Sequence, residues 1–295
     1  MRPDPTLVEM APRDGLQSQN SQIPTEVKIS FIEDLSDSGV SEIEAGAFVS
    51  PKSVPAMADS LLVFQKIKRK KGIVYSALVP NEKGLDLALA ARVNKIAVFT
   101  AASETFNQKN INASVQESLK RFLPVVSKAK TQRLPIRGYV STAFFCPYEG
   151  QIRPEAALKV GLDLLDLGVD ELSIGDTIGR ASPDDVRRLL DLHLKKIPVS
   201  KIALHFHDTY GMAVANALVA WDEYEIARFD ASSGGIGGCP YAPGASGNVA
   251  LEDLAFAFEA SAAKTGIDLK KINKALDGIA PYLEKPFSSR IRKVL

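Results

Sequence analysis

Short β-branched and apolar segments alternate with longer amphipathic segments along most of this chain. The longer segments repeat apolar residues at the i, i+3, i+4, i+7 spacing of one helix face, whereas the short ones are typical of strands. The predicted strands are Leu7–Met10, Glu42–Ala45, Ile73–Leu78, Lys95–Thr100, Ile136–Ser141, Glu171–Ile174, Lys201–Phe206 and Arg228–Ala231. The predicted helices between them are Thr25–Ser38, Ala56–Lys66, Gly84–Ala91, Val115–Lys130, Pro154–Leu167, Pro183–Leu194 and Met212–Glu223.

Eight strand–helix alternations predict an α/β fold, a closed (β/α)8 TIM barrel. Right-handed connections place successive strands parallel, and eight such units in about 250 residues are typical of this barrel. A doubly wound open sheet is the alternative that the pattern leaves open. We expect one domain over residues 1–295, with the barrel at about 6–265 and an extra C-terminal helical segment at about 266–295. This segment is expected to pack across the barrel or against a partner subunit.

Composition narrows the range of partners. The chain has 295 residues, 45% hydrophobic and 24% charged, with a formal net charge of +1. So small a charge sets up no broad field that attracts nucleic acid or an anionic membrane, and no run reaches the about 18–20 apolar residues of a membrane span. Two cysteines and a beginning without signal or transit character predict a reducing compartment, the cytoplasm.

Candidate metal-binding chemistry stands at the end of the seventh predicted strand. There His205 and His207 are two positions apart, so their side chains leave the strand on one face. In a TIM barrel the active site lies at the carboxyl ends of the strands. Two imidazoles at such a point suit a divalent transition metal or a mixed nitrogen and oxygen site for Mg²⁺ or Mn²⁺. The alternative is two ordinary polar residues at a strand end.

The segment after the first strand offers a carboxylate and a cation. Asp14 provides a hard oxygen ligand, and Arg13 provides a planar donor for a carboxylate or a developing oxyanion. The alternative is a structural salt bridge or a simple Asp-Gly turn.

A glycine-rich loop, residues 234–238, follows the eighth strand and leads into Cys239. Glycines permit close backbone approach and movement, so Cys239 is a candidate proton donor or nucleophile that swings over the site. A passive thiol is the alternative, and a phosphate cradle lacks the Walker lysine. Cys146 is interpreted as a packing residue. Three further polar residues lie in or after strands, where each taken singly also fits a structural role: Glu44, Arg137 and Asp176.

Taken in order, these segments resemble the 3-hydroxy-3-methylglutaryl-CoA lyase family, metal-dependent barrel enzymes related to others that cleave or form carbon–carbon bonds. The resemblance extends from about Leu7 to Asp253. The matching residues are Glu9, Pro12–Gln17, Glu44 with Phe48–Lys52, Ala102–Glu104, Lys109–Asn112, Cys146–Gly150, Gly175–Gly179, His205–Thr209, Gly237–Tyr241 and Gly247–Asn248.

The resemblance implies a role for each candidate residue. It implies a Mg²⁺ or Mn²⁺ ion, which accepts mixed hard ligands, held by Asp14, His205, His207 and Asn248. It implies that Arg13 steadies an enolate, that Cys239 is the acid/base, and that Glu44 and Asp176 are supporting catalytic carboxylates. Substrate contacts are expected from Arg137, Gln17 and Glu9. A homodimer is implied as well.

The activity that the resemblance implies is retro-Claisen cleavage of 3-hydroxy-3-methylglutaryl-CoA to acetyl-CoA and acetoacetate. Two segments depart from the usual family pattern, Ser18-Gln19-Asn20 and Gly46-Ala47. Both lie near the expected rim of the site, so the reaction type is better supported than the acyl group. The alternatives are a lyase for another 3-hydroxyacyl-CoA thioester and a non-enzymatic CoA- or metal-binding paralogue.

Overall fold

The computed structural model describes residues 2–19, 23–238 and 247–294. Eight parallel strands close into a barrel in which each strand pairs with its neighbours in chain order. The prediction of a (β/α)8 TIM barrel is therefore confirmed. The strands are β1 (Thr6–Glu9), β2 (Glu42–Ala47), β3 (Val74–Leu78), β4 (Lys95–Ala101), β5 (Ile136–Ser141), β6 (Glu171–Asp176), β7 (Ile202–Phe206) and β8 (Arg228–Ala231).

Helices surround the barrel and cover its apolar outer face. They are α1 (Thr25–Ser36), α2 (Ser60–Lys66), α3 (Glu82–Ala90), α4 (Glu104–Ile111), α5 (Val115–Thr131), α6 (Pro154–Leu167), α7 (Pro183–His193), α8 (Ala213–Tyr224), α9 (Leu251–Ala260) and α10 (Leu269–Ile279). Two of them begin with a reciprocal capping box, formed by Ser114 with Glu117 and by Ser182 with Asp185. Within the described residues, no helix combines the length and the apolarity needed to cross a bilayer.

Two helices were absent from the predicted pattern. α4 is polar along most of its length and buries only Phe106 and Asn107, so it carries little amphipathic periodicity. α9 has the opposite character, because apolar residues lie on several of its sides and Phe256 is exposed. The C-terminal helix α10 packs beside α1 in the outer ring. There the Asp268 amide donates to the Ser38 carbonyl at 2.7 Å.

The interior of the barrel contains charged side chains where branched apolar residues are usual. Lys95 lies 3.0 Å from Glu42 and also pairs with Glu171. Arg137 donates to Glu171 at 2.5 Å and to Asp230 at 2.6 Å. A buried charge is tolerated when it is paired and hydrogen-bonded. We call this set the barrel charge network; it comprises Lys95, Arg137, Arg228, Glu42, Glu171 and Asp230, three cations and three carboxylates.

We expect Lys95→Met to lower the free energy of unfolding by about 3 kcal/mol, because it leaves Glu42 and Glu171 short of a buried cation. Urea unfolding followed by circular dichroism measures the change. The matched control is Lys128→Met, which removes an exposed pair with Asp86 and should change stability by at most about 0.5 kcal/mol. Equal losses in the two variants would show that the buried carboxylates do not depend on Lys95.

Candidate active site

The candidate site lies at the carboxyl ends of the strands and is assembled from three segments. After β1, residues Ala11–Gly15 form one π-helical turn in which the amides of residues 13–15 point to the Met10 carbonyl. This turn presents Arg13 and Asp14. β7 ends in His205 and Phe206, and the third segment, residues 247–250, runs beside it through a bridge between His207 and Asn248. The predicted residues His205, His207, Asp14 and Asn248 are thus brought together.

Asp14, His205 and His207 form a candidate metal centre, with one ligand atom from each within 4.8 Å of the others. Asn248 adjoins it, since its Nδ2 donates to the Asp14 carboxylate at 2.8 Å. The Asn248 Oδ1 and the His207 Nδ1 are buried without a hydrogen-bond partner. A buried polar atom without a partner is unfavourable, and a bound cation would supply one to the amide oxygen. One carboxylate, two imidazoles and one amide oxygen therefore fit a divalent cation.

Electrostatics hold Asp14 and His207 in the protonation states that ligands require. Burial opposes ionisation of Asp14, but the Arg13 charge and the two histidines outweigh it and lower the Asp14 pKa to about 2. Burial, together with the neighbouring His205, lowers the His207 pKa to about 4. At neutral pH Asp14 is therefore an anion and His207 a neutral imidazole, the form that binds metals.

Asp230, at the end of β8, orients His205 from inside the barrel. Its Oδ2 lies 3.3 Å from His205 Nδ1 and accepts the Ser173 hydroxyl at 2.7 Å, while its Oδ1 accepts Arg137 at 2.6 Å. Burial opposes ionisation of Asp230, yet the Arg137 charge and the His205 hydrogen bond hold its pKa far below the usual range. A proton on Nδ1 directed at Asp230 leaves the His205 Nε2 lone pair for a metal.

Asp230 was not among the predicted site residues. It could have been found from its position in a core strand, two residues after Arg228, because alternation places both side chains on the inner face. The same signal applies to Tyr139, which follows Arg137 by two residues in β5 and borders the site cavity. Neither residue belongs to a recognisable motif.

Arg13 is a buried cation beside the metal centre. It pairs with Glu44 through Nε and donates from Nη1 to Asp14 at 2.5 Å. The Tyr139 ring centroid lies 5.7 Å from the guanidinium carbon, and the Tyr139 hydroxyl donates to Glu44 at 3.2 Å. Burial opposes the charge on Arg13, but Glu44 and Asp14 raise its pKa above the ordinary value. Arg13 is therefore a fixed positive charge, and Glu44 sets its orientation.

Five of the described predicted site residues are absent from the cavity wall. Glu44 and Asn248 adjoin Arg13 and the metal centre, and the other three lie farther behind the wall. Arg137, expected to contact substrate, is 1% exposed and belongs to the barrel charge network. Glu9, given the same expected role, accepts from the Ala11 amide at 2.7 Å and the Ser233 amide at 3.0 Å. Asp176, expected to act in catalysis, accepts from the amides of residues 180 and 181 at 3.1 and 2.9 Å. Through these contacts Arg137 balances buried charge, and Glu9 and Asp176 hold loop backbone in place beside the site.

Burial raises the pKa of two of these carboxyl groups. It raises the pKa of Glu9 to about 7 and that of Asp176 to about 7, although hydrogen bonds from nearby amides act in the opposite direction. Strongly shifted carboxyls cluster at functional sites but also occur in structural networks. Here the hydrogen bonds to loop backbone support the structural interpretation.

A cavity of about 1080 Å³ opens over the metal centre. Its floor includes Arg13, Asp14, His205 and His207, and its outer wall includes apolar and polar side chains of the loops after β2, β3 and β4. Gln17 borders it, and the Gln17 Oε1 is buried without a hydrogen-bond partner. Gly238 also borders the cavity. Cys239, the predicted acid/base, lies outside the described residues.

Comparisons with known proteins match this chain over almost its whole length. The family model HMGL-like matches residues 4–279. The chain is 47% identical to a cytoplasmic 3-hydroxy-3-methylglutaryl-CoA lyase of Danio rerio, over 97% of this chain and 85% of that protein. The structure superposes on a hydroxymethylglutaryl-CoA lyase from Pseudomonas aeruginosa with a TM-score of 0.96 and 44% identity, covering 99% of this chain and 98% of that one.

A third similar protein is an HMG-CoA lyase from Acinetobacter baumannii, whose structure is described as a complex with coenzyme A and 3-methylmalate. It is 38% identical, with a TM-score of 0.92, and the match covers 98% of this chain and 94% of that chain. Sequence and fold therefore agree over almost the whole length.

We expect Asp14→Asn to weaken Mn²⁺ binding by at least about 100-fold, because loss of a charged ligand should exceed the effect of losing an outer-shell partner. Calorimetric titration of metal-stripped protein measures the affinity. Asp37→Asn makes the same chemical change at an exposed pair with Lys70 and should bind like the unaltered protein. Equal affinity in both variants would show that Asp14 is not a ligand.

Asp230→Asn should weaken Mn²⁺ binding about tenfold although Asp230 is not itself a ligand, because His205 loses its orienting carboxylate. Nitrogen NMR of the metal-free protein should show a smaller population of the His205 tautomer protonated at Nδ1. Ser173→Ala removes one hydrogen bond to Asp230 but retains its charge, and should have the smaller effect. An unchanged tautomer together with unchanged affinity would refute this role.

Proposed function

The chain belongs to the HMGL-like family, and from that membership we propose that it cleaves 3-hydroxy-3-methylglutaryl-CoA to acetyl-CoA and acetoacetate. The single observation that carries the proposal is the joint position of the metal centre and Arg13 in the floor of one cavity of about 1080 Å³. A cavity of this size can hold the acyl part of a CoA thioester and part of its carrier. The acyl-CoA thioester is thus the proposed partner, and neither nucleic acid nor a membrane is proposed.

The proposed cofactor is Mg²⁺ or Mn²⁺, held by Asp14, His205, His207 and Asn248. When bound, such a cation supplies Lewis-acid polarisation to substrate oxygens. The mixed set of oxygen and imidazole donors supports this assignment, since structural zinc favours tetrahedral nitrogen and sulfur shells. Activity measured with each ion separately distinguishes between them.

Arg13 is proposed to stabilise the charge that develops during cleavage. As the C3 hydroxyl passes its proton to the Cys239 thiolate, the proposed acid/base, a C3 carbonyl forms and the electrons of the C2–C3 bond move into the thioester, giving the acetyl-CoA enolate. A cation already fixed by Glu44 and Asp14 needs little reorganisation when that negative charge appears. Burial strengthens the effect, because charges interact more strongly where water is excluded.

Cys239 is proposed as the acid that protonates C2 of the enolate. The support is the position of Gly238, which borders the cavity immediately before Cys239 in the chain. A positioned acid contributes about 100-fold or more to such a step. Gln17 is proposed as a substrate contact through its Oε1.

The other predicted site residues are proposed to act through their neighbours. Glu44 orients Arg13, and Arg137 fixes Asp230. Glu9 and Asp176 order the backbone after β8 and β6. A homodimer and a cytoplasmic location complete the proposal; gel filtration and cell fractionation test them.

The decisive assay incubates metal-stripped protein with 3-hydroxy-3-methylglutaryl-CoA, with and without Mg²⁺ or Mn²⁺, and measures acetoacetate and acetyl-CoA. We expect product only with metal. In Cys239→Ser, kcat should fall by about 100-fold or more, because the enolate loses its acid. Metal binding by this variant should be unchanged, since the cysteine is not a proposed ligand.

Cys146→Ser is the matched control. The Cys146 Sγ is buried 3.0 Å from the Ser103 hydroxyl and does not line the cavity, so its conversion should leave kcat close to that of the unaltered protein. Equal losses in both cysteine variants would refute the acid role of Cys239. If folded, metal-loaded protein forms no product, this substrate is wrong, and other branched or linear 3-hydroxyacyl-CoA thioesters are the next to assay.

A further inference from the structure

The chain returns to the carboxyl end of the barrel after α10. We call residues 287–291 the C-terminal clasp. The clasp contacts Gly234 at the start of the glycine-rich loop, Asp208 directly after His207, and Asp253 in the first turn of α9. These three residues adjoin the glycine-rich loop, the segment that carries His207 and the segment that carries Asn248. None of the clasp residues has a role in the chemistry described above.

The first contact is with the root of the glycine-rich loop. The Ser288 amide donates to the Gly234 carbonyl at 2.9 Å. A Cβ at Gly234 would lie 2.3 Å from Phe287, and one at Gly235 would lie 2.0 Å from the Ser288 hydroxyl. Both glycines also have positive φ, at 68° and 65°. The backbone at the loop root and the clasp are therefore fitted to each other, and a larger side chain at either glycine would separate them.

The second contact is an ion pair with Asp208. Arg290 Nη1 donates to Asp208 Oδ2 at 2.9 Å, and Asp208 Oδ1 accepts from the Ala213 amide at the start of α8 at 3.0 Å. The Asp208 amide donates to the Gly247 carbonyl at 3.0 Å. Asp208 therefore joins the segment that carries His207 to the segment that carries Asn248.

The third contact anchors the clasp itself. The Asp253 carboxylate, in the first turn of α9, accepts from the amides of Arg290 and Ile291, both at 2.9 Å, and from the Ser289 hydroxyl at 3.0 Å. Asp253 and Ser289 are both buried. The backbone of Arg290 is thus held firmly, although 63% of its side chain is exposed, and the guanidinium is presented to Asp208 from a fixed point.

We propose that Arg290 is a positioning residue of the metal centre, which it stabilises through Asp208 by holding the His207 and Asn248 segments together. The inference rests on the proposed function, because it assigns the clasp to the metal-dependent site. An exposed ion pair contributes little to global stability. Its loss should therefore appear in the geometry of the metal ligands rather than in unfolding. Arg290 touches neither ligand, which distinguishes this role from that of Asp230.

The test measures Mn²⁺ binding to metal-stripped protein by calorimetry, without substrate, and kcat and KM in parallel. Arg290→Ala should weaken Mn²⁺ binding by up to about tenfold, the lower end of the effect known for groups hydrogen-bonded directly to a ligand. Arg290→Lys should restore most of the affinity, because a lysine retains the charge near Asp208. Asp208→Asn should give a similar loss, and the double variant should lose little more than Arg290→Ala, as expected for two residues acting through a shared contact. The guanidinium also lies 3.6 Å from Asp253, and only the arginine change removes that second pair.

Arg187→Ala is the matched control. Arg187 also pairs an exposed guanidinium with a carboxylate, Glu223 at 2.6 Å, but at the far end of α8. It should bind Mn²⁺ like the unaltered protein. Unchanged affinity in Arg290→Ala, or equal losses in the two arginine variants, would overturn the proposal. Because Mn²⁺ binding is measured without substrate, absence of lyase activity in the unaltered protein would count against the proposed function alone.

Discussion

The structure of the site depends on the contacts of a single buried carboxylate, that of Asp230. Arg137, Ser173 and His205 reach it from three other strands, and it lies in register with His205 on the neighbouring strand. In a medium of low dielectric, a carboxylate without such partners would be too unfavourable to remain ionised. Its partners come from β5, β6 and β7, so it is satisfied only when these three strands have assembled with β8. Folding and construction of the metal centre are therefore linked through one residue.

The charged side chains have different roles at the two ends of the barrel. Toward the amino ends of the strands, Lys95 and Arg228 are neutralised by Glu42 and Glu171 in a balanced set of ion pairs. Toward the carboxyl ends, cations and anions remain available to a ligand. Buried pairs of this kind seldom add much net stability. Their geometric demands nevertheless require the strands to meet in one register, and that register sets the positions of the side chains above them.

Charge at the carboxyl end is arranged before any substrate arrives. Asp14 is ionised, His207 is neutral, and Arg13 is held by two carboxylates. Each state follows from burial and from the neighbouring charges, and each matches what a metal ligand or an enolate stabiliser requires. The groups that set this charge pattern lie in the short segments directly after β1 and β7, and the longer loops contribute less. The longer loops form the cavity wall. The C-terminal clasp keeps the segments that carry His207 and Asn248 together.

Much of the fold and the metal centre was predictable from local pattern. Strands and helices follow from periodicity, because side chains repeat every two residues along a strand and about every 3.6 along a helix. The pair His205 and His207 was identified by the same rule, and Asp14 by its place just after the first strand. These features depend on neighbours in the chain, so the amino-acid sequence by itself determined them.

The contacts of the polar residues inside the barrel were decided by the tertiary structure. Alternation assigns Arg137 to the inner face of β5, but it does not say how deep the side chain lies or which strand across the barrel faces it. Barrel closure places Arg137 beside Asp230 and away from the cavity, and it turns Glu9 and Asp176 toward loop backbone. The physical reason is that such a charge takes the partner that compensates its burial, and that partner lies far away in the chain.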